Sequence, residues 1–174
     1  IFLLTKCTEA KTSEKASEAK TDLKTTIHTA AFMGDVAAIG AHVKAGTDLN
    51  QKDEYGSTPL TIAATFGRDE AALALINGGA DLNTQSADGS TPLHTASFFC
   101  RTKVVKALLE KGADINIRNK FGSTALESVS GSFSDIKMIY DQISRDLGPF
   151  GLKLDYDRLE ESRPVIADMI QSYQ

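Results

Sequence analysis

A block of eight residues, Gly89-Ser90-Thr91-Pro92-Leu93-His94-Thr95-Ala96, returns in blurred form at a fixed step of 33 positions. One step back stands Gly56-Ser57-Thr58-Pro59-Leu60-Thr61-Ile62-Ala63, and one more gives Thr25-Thr26-Ile27-His28-Thr29-Ala30. One step forward stands Gly122-Ser123-Thr124-Ala125-Leu126-Glu127. A strict period in this range means that one supersecondary unit is stacked on copies of itself, so each copy buries its apolar face against the next.

Each block reads as the start of a helix. Thr91 can cap the first turn with its hydroxyl. Pro92 then falls at the first helical position, where its missing N–H costs nothing. Leu93 and Ala96 share a face that points to the neighbouring unit. In the last copy, Thr124-Ala125-Leu126-Glu127 has the spacing of a capping box.

A second marker keeps the same period. Lys111-Gly112-Ala113-Asp114-Ile115-Asn116 matches Gly78-Gly79-Ala80-Asp81-Leu82-Asn83 and Ala45-Gly46-Thr47-Asp48-Leu49-Asn50. Gly46, Gly79 and Gly112 fall where a second helix must stop in a left-handed cap. Between the markers, Val104, Val105, Leu108 and Leu109 form a helical stripe, as do Ala71, Ala72, Leu75 and Ile76 one unit earlier. The unit is therefore helix, turn, helix, glycine stop and a polar hairpin.

These residues resemble the ankyrin repeat. Thr91-Pro92-Leu93-His94-Thr95-Ala96 has its complete Thr-Pro-Leu-His-x-Ala signature, and the Gly-Ala-Asp-x-Asn ending occurs twice. The resemblance spans roughly residues 25–143. It implies an all-α solenoid of stacked helix-turn-helix units with short β-hairpin loops at right angles. It also implies a protein-binding scaffold with no catalytic machinery, of a bacterial type.

Phase places the repeats at about 25–56, 57–89, 90–122 and 123–143, within a domain over residues 25–174. In the first, His42 stands where later copies have Leu75 and Leu108, which suits an end unit whose outer side meets water. In the fourth, Lys137, Asp141 and Gln142 fall in apolar slots. Ile136, Ile139, Tyr140 and Ile143 make its apolar face, which predicts a rotated or shifted second helix, slipped at Gly131-Ser132. Gly148-Pro149-Phe150-Gly151 reads as a turn. Beyond it, Val165, Ile166, Met169 and Ile170 restore the stripe spacing, with Pro164 placed to start their helix. A partner helix near residues 156–161 would complete a degenerate fifth repeat, 155–171, capping the stack.

Residues 1–24 differ in kind. Ile1-Phe2-Leu3-Leu4 is apolar, and after Cys7 the lysines and carboxylates of a Thr/Ser/Ala-rich tract balance. That tract has little to bury and reads as a tether. An apolar stretch, a cysteine and a polar spacer resemble a bacterial lipoprotein, with the tail of a signal peptide and a lipid on Cys7. Lys6 departs from that pattern, which wants a small residue before the cysteine. An amphipathic helix abutting the first repeat is the other reading. An exported chain, periplasmic or membrane-tethered, is favoured over a cytoplasmic one.

The 174 residues suffice for one domain plus an extension. A net charge of -4 argues against nucleic acid, which wants a basic stripe. No apolar run is long enough to span a bilayer, so a lipid on Cys7 would be the sole membrane attachment. The two cysteines, Cys7 and Cys100, lack metal-ligand spacing, and Cys100 reads as a half-buried thiol in the slot of Gly34 and Gly67.

No enzyme chemistry is legible, and no cofactor, metal or catalytic residue is expected. His28 and His94 share a slot that the resemblance assigns to hydrogen bonding with neighbouring backbone. Asp48, Asp81 and Asp114, with Asn50, Asn83 and Asn116, recur too far apart for one calcium loop and fit turn chemistry. In ankyrin repeats the residues after the inner-helix alanines and those at the hairpin tips line the concave side. That placement nominates Phe32, Met33, Phe66, Phe98 and Phe99, rimmed by Tyr55, Phe121, Lys52, Arg118 and Lys120. Tucking of a ring between inner helices is the alternative for any one of them. The expected function is a non-enzymatic scaffold, monomeric, holding an unidentified protein partner on this face. The rival is a regulatory or targeting domain of a larger enzyme.

Overall fold

The computed structural model describes residues 23–174, so Cys7 and the tether lie outside the described residues. Three helix pairs come first: α1 (Ile27–Met33) with α2 (Val36–Lys44), α3 (Pro59–Thr65) with α4 (Asp69–Asn77), and α5 (Pro92–Phe98) with α6 (Thr102–Glu110). They are followed by α7 (Glu127–Ser130), α8 (Phe133–Leu147), a 3-10 turn (Gly148–Phe150) and α9 (Tyr156–Gln171). The inner helices α1, α3, α5 and α7 stack in one row, and α2, α4 and α6 stack in a second. The chain is all-α, and there is no strand among the described residues.

Local chemistry explains the repeated helix starts. Thr58 and Thr91 each accept the backbone N–H three residues on, and the side chains of Thr61 and His94 bond back to the cap backbone. Thr124 and Glu127 exchange the same two bonds at 2.8 and 3.2 Å. The Asp/Asn markers form a ladder. Asp81 N–H donates to Asn50 Oδ1 (2.7 Å) and Asp114 N–H to Asn83 Oδ1 (2.9 Å), tying each unit to the one before. Hairpins close by two backbone bonds each, as from Asp53 N–H to Ser57 O and from Gly56 N–H to Asp53 O (both 3.0 Å).

Arginines at the start of the outer helices stitch the stack. Arg68 Nε donates to Phe32 O (3.0 Å), and Arg101 donates from Nε to Ala64 O and from Nη2 to Thr65 O (both 3.0 Å). Gly67 permits the second contact: its φ is +67°, and a Cβ there would sit 2.8 Å from the Arg101 guanidinium carbon. Cys100 takes the same left-handed conformation (φ 54°) although it carries a side chain. Such a conformation costs an L-residue about 1–2 kcal/mol. Burial of its thiol against Leu159 O (3.6 Å) offsets that. Burial also pushes the Cys100 thiol up, despite the nearby charges of Arg163, Arg158 and Arg101. In a Cys7→Ser background, native protein should react with a maleimide at least about a hundredfold more slowly than unfolded protein. Comparable rates, followed by mass, would contradict this burial.

The C-terminal third departs from the expected plan. No fifth helix pair follows the fourth unit. Instead α9 packs on α7, α6 and α5, which is the place of the fourth outer helix. Arg158 Nη1 donates to Cys100 O (2.9 Å), repeating what Arg101 and Arg68 do one and two units earlier. The fourth unit is thus α7 plus α9, and residues 131–155, including α8, are inserted between them.

Several expectations need correction on this basis. α9 runs straight through Pro164 rather than starting there. The lost bond falls on an exposed flank, where water can satisfy the free carbonyl, while Leu159, Arg163, Ile166 and Ile170 stay buried on the other. Val165 is 53% exposed, so the stripe is not 165/166/169/170. The Ile136, Ile139, Tyr140, Ile143 face belongs to no shifted outer helix: Tyr140 alone of these is buried in the body. Nor does His42 meet water. It is 4% exposed, with Nε2 bonded to Thr25 O (2.8 Å) and Nδ1 to Thr47 Oγ1 (3.1 Å).

Candidate functional site

The inner helices present their exposed side to a groove of about 1250 Å³. Its floor comes from α1, α3 and α5, with Phe32, Ile62, Thr65, Phe66, Thr95 and Phe98 among the lining residues. The hairpins lead directly into the N-termini of α3, α5 and α7, so Tyr55, Ala87, Asp88 and Phe121 border the groove there. At the opposite end of α5, Tyr140 of α8 donates its hydroxyl to Phe98 O. Helix α8 therefore stands at the C-terminal side of the floor. It contributes Ile136, Ile139, Ile143 and Leu147, followed by Phe150.

α8 is held by an aromatic and polar anchor. The Tyr140 ring lies 4.6 Å from Phe98 and 5.7 Å from Phe133. Arg163 of α9, buried, donates to Tyr140 Oη (3.3 Å) and to Ser128 O and Gly131 O (both 3.2 Å). Its Nε has no partner among the described residues. Burial pushes the Tyr140 phenol up to about 12, outweighing the opposing charge of Arg163.

The sequence-nominated residues separate into three groups. Phe32, Phe66 and Phe98 are half-buried in the floor, with Phe32 and Phe66 edge to face at 4.7 Å. Tyr55 and Phe121 are 73% and 79% exposed at the hairpin tips. Met33, Lys52, Arg118 and Lys120 are exposed but lie outside the lining. Phe99 is a correction: it touches the groove but is only 7% exposed. It caps α5 instead of continuing it, and its ring tucks beside Phe98 (5.2 Å) and under Arg101 (5.9 Å). The whole α8 wall was missed as a site, although its 136/139/143 spacing was visible.

Polar groups in the lining are already engaged. His28 Nε2 bonds Gln51 O (2.8 Å), and His94 Nε2 bonds Ser123 O (3.0 Å) while Nδ1 meets Thr91 Oγ1 (2.8 Å). Burial holds the His94 imidazole below its ordinary range. Asp88 is pushed up by burial, but bonds from Ser86 and Ser90 outweigh this and leave it below its usual value. Among the described residues no cluster of His, Cys, Asp or Glu could hold a metal ion. None of their helices is long and apolar enough to cross a membrane.

The family described as ankyrin repeats, in three copies, matches residues 10–119. The chain belongs to the ankyrin-repeat family. No curated protein matches it. Ankyrin repeats are in general protein–protein interaction modules and typically carry no enzymatic activity. In this ankyrin protein the matched span ends before α7, so the α8 insertion lies beyond the matched repeats.

Proposed function

We propose that the protein is a scaffold that seats a partner protein in the groove between its hairpin tips and α8. One observation carries this reading: three half-buried phenylalanines and two exposed aromatic rings line a single groove. Contiguous exposed apolar surface of this kind marks interaction sites, and aromatic side chains dominate their energetics. The general role of ankyrin repeats and the aromatic lining of the groove both support this reading.

The test uses Tyr55→Ala/Phe121→Ala, because both rings are exposed and neither supports the core. Surface changes of this kind shift the melting temperature by roughly 2 °C or less. A partner captured by the native protein from its source and identified by mass spectrometry should be lost by the double variant. Retention of the same partner at full yield would place the interface elsewhere.

A further inference from the structure

Taking that groove as the binding site, we infer that its occupant is a single amphipathic α-helix with a basic face, gripped between α8 and the hairpins. Four features point the same way. First, Ile136, Ile139, Ile143 and Leu147 follow one another at three- and four-residue steps, a straight apolar ridge on α8. At 1.5 Å per residue that ridge is about 16 Å long. Ridges of this kind pack into the grooves of a second helix.

Second, the volume fits. A cylinder about 10 Å across, the girth of a helix, fills 1250 Å³ over about 16 Å, or some three turns. Third, there is no strand among the described residues, so an extended partner would find no sheet edge to take up its N–H and C=O groups. A helix brings its own backbone bonds and needs only side-chain contacts.

Charge fixes the other face. The lining includes Asp53, Asp88 and Glu127 against one cation, the buried Arg163. Glu127 is paired with Arg118 at 2.7 Å, which leaves Asp53 and Asp88 with no ion pair among the described residues. The Asp53 turn does not require the charge. Asn119 accepts the Phe121 and Ser123 N–H groups in the third hairpin as Asp53 accepts those of Tyr55 and Ser57 in the first. The carboxylates at 53 and 88 add negative potential across the groove from the apolar wall of α8. A helix with leucines toward α8 and lysines or arginines toward the hairpins is complementary to both.

The protein contains no tryptophan, so a peptide tryptophan reports its own burial. The probe is a synthetic helix of about fifteen residues with a Leu stripe containing one Trp, and Lys on the flank facing the hairpins. Its fluorescence should shift to the blue on titration. Replacing Lys by Glu, or scrambling the order, should weaken binding about tenfold or more. Asp53→Asn/Asp88→Asn keeps the oxygen that accepts the backbone N–H groups of Tyr55, Ser57 and Ser90, and gives up only the second Asp88 oxygen that Ser90 Oγ meets. It should weaken the Lys peptide roughly fivefold, with a shallower salt dependence. Ile139→Ser/Phe150→Ser, at two exposed positions, should weaken it roughly tenfold while leaving the melting curve in place. Equal binding of the Glu peptide, or indifference to either pair of substitutions, overturns the proposal. So does a peptide that does not bind at all. In those cases the groove is still the partner's site if Tyr55→Ala/Phe121→Ala abolishes native capture, and both readings fall if it does not.

Discussion

Ending the chain at Leu154, ahead of α9, should leave a protein that is aggregated or largely unfolded at room temperature. The reason lies in what α9 replaces. It is the outer helix of the fourth unit, and it buries Leu159, Ile166 and Ile170 completely. Covering three such side chains contributes about 6 kcal/mol before entropy is counted. That is comparable to the whole stability of many domains. Its loss also uncovers the flank of α6 and removes Arg158 and Arg163, which satisfy the carbonyls of Cys100, Ser128 and Gly131. Light scattering and a circular-dichroism melt will read the outcome. A monomer with an unchanged melting temperature would show that α9 is an appendage. Removal of 172–174 alone should have little effect, since all three residues are exposed.

The first three helix pairs were legible because their information is local. A Thr-Pro start, a glycine stop and an apolar stripe lie within one unit, and the 33-residue step repeats them in phase. The same arithmetic could not locate α8 and α9. A stripe such as 136/139/143 says that a helix has an apolar side, not which body that side meets. Two helices of similar pattern followed α7, and only packing decides that the second completes the unit. Arg163 shows the limit most directly: nothing in its neighbourhood marks a charged residue for burial. It is buried because the ends of α7 and the Tyr140 hydroxyl need a donor there. Pro164 misled in the opposite way, since the local rule against proline within a helix yields when its flank faces water.

The groove divides along the same line. Its aromatic floor was readable, because the residues after the inner-helix alanines fall on one side of every unit. Phe99 escaped that reading because tertiary neighbours cover its ring: Phe66 holds the same cap position one unit earlier and stays in the floor, whereas Phe99 is tucked beside Phe98 and under Arg101. The α8 wall could not be read from repeat positions at all. It is tertiary, made by one buried tyrosine at the end of α5.

That tyrosine should prove the most sensitive position in the insertion. Tyr140→Ala should cost about 3–5 kcal/mol, the range for deleting a large buried aromatic ring, and lower the melting temperature by roughly 10 °C. Hydrogen exchange across α8 should accelerate more than across α3 or α4, because Tyr140 is its only fully buried side chain. Tyr140→Phe separates the ring from the hydroxyl. It keeps the stacking on Phe98 and leaves Phe98 O and one Arg163 N–H without their partner, at about 1–3 kcal/mol. The hydroxyl also carries a pH signature. In the fold its phenol is pushed up to about 12, whereas in the unfolded chain it ionises near the ordinary value of 10.0. The unfolded state therefore releases its proton first as pH rises. The stabilisation from this group is fully present below pH 10, and it is lost as pH climbs from there through 12. At about 1.4 kcal/mol per pH unit, up to about 3 kcal/mol is at stake. Tyr140→Phe lacks that proton, so the stability gap between native and variant protein should narrow steeply above pH 10. Denaturant melts in parallel at pH 8 and pH 11 will measure the gap. A difference that stays constant across that interval would mean that the Tyr140 hydroxyl is not buried in the anchor of α8.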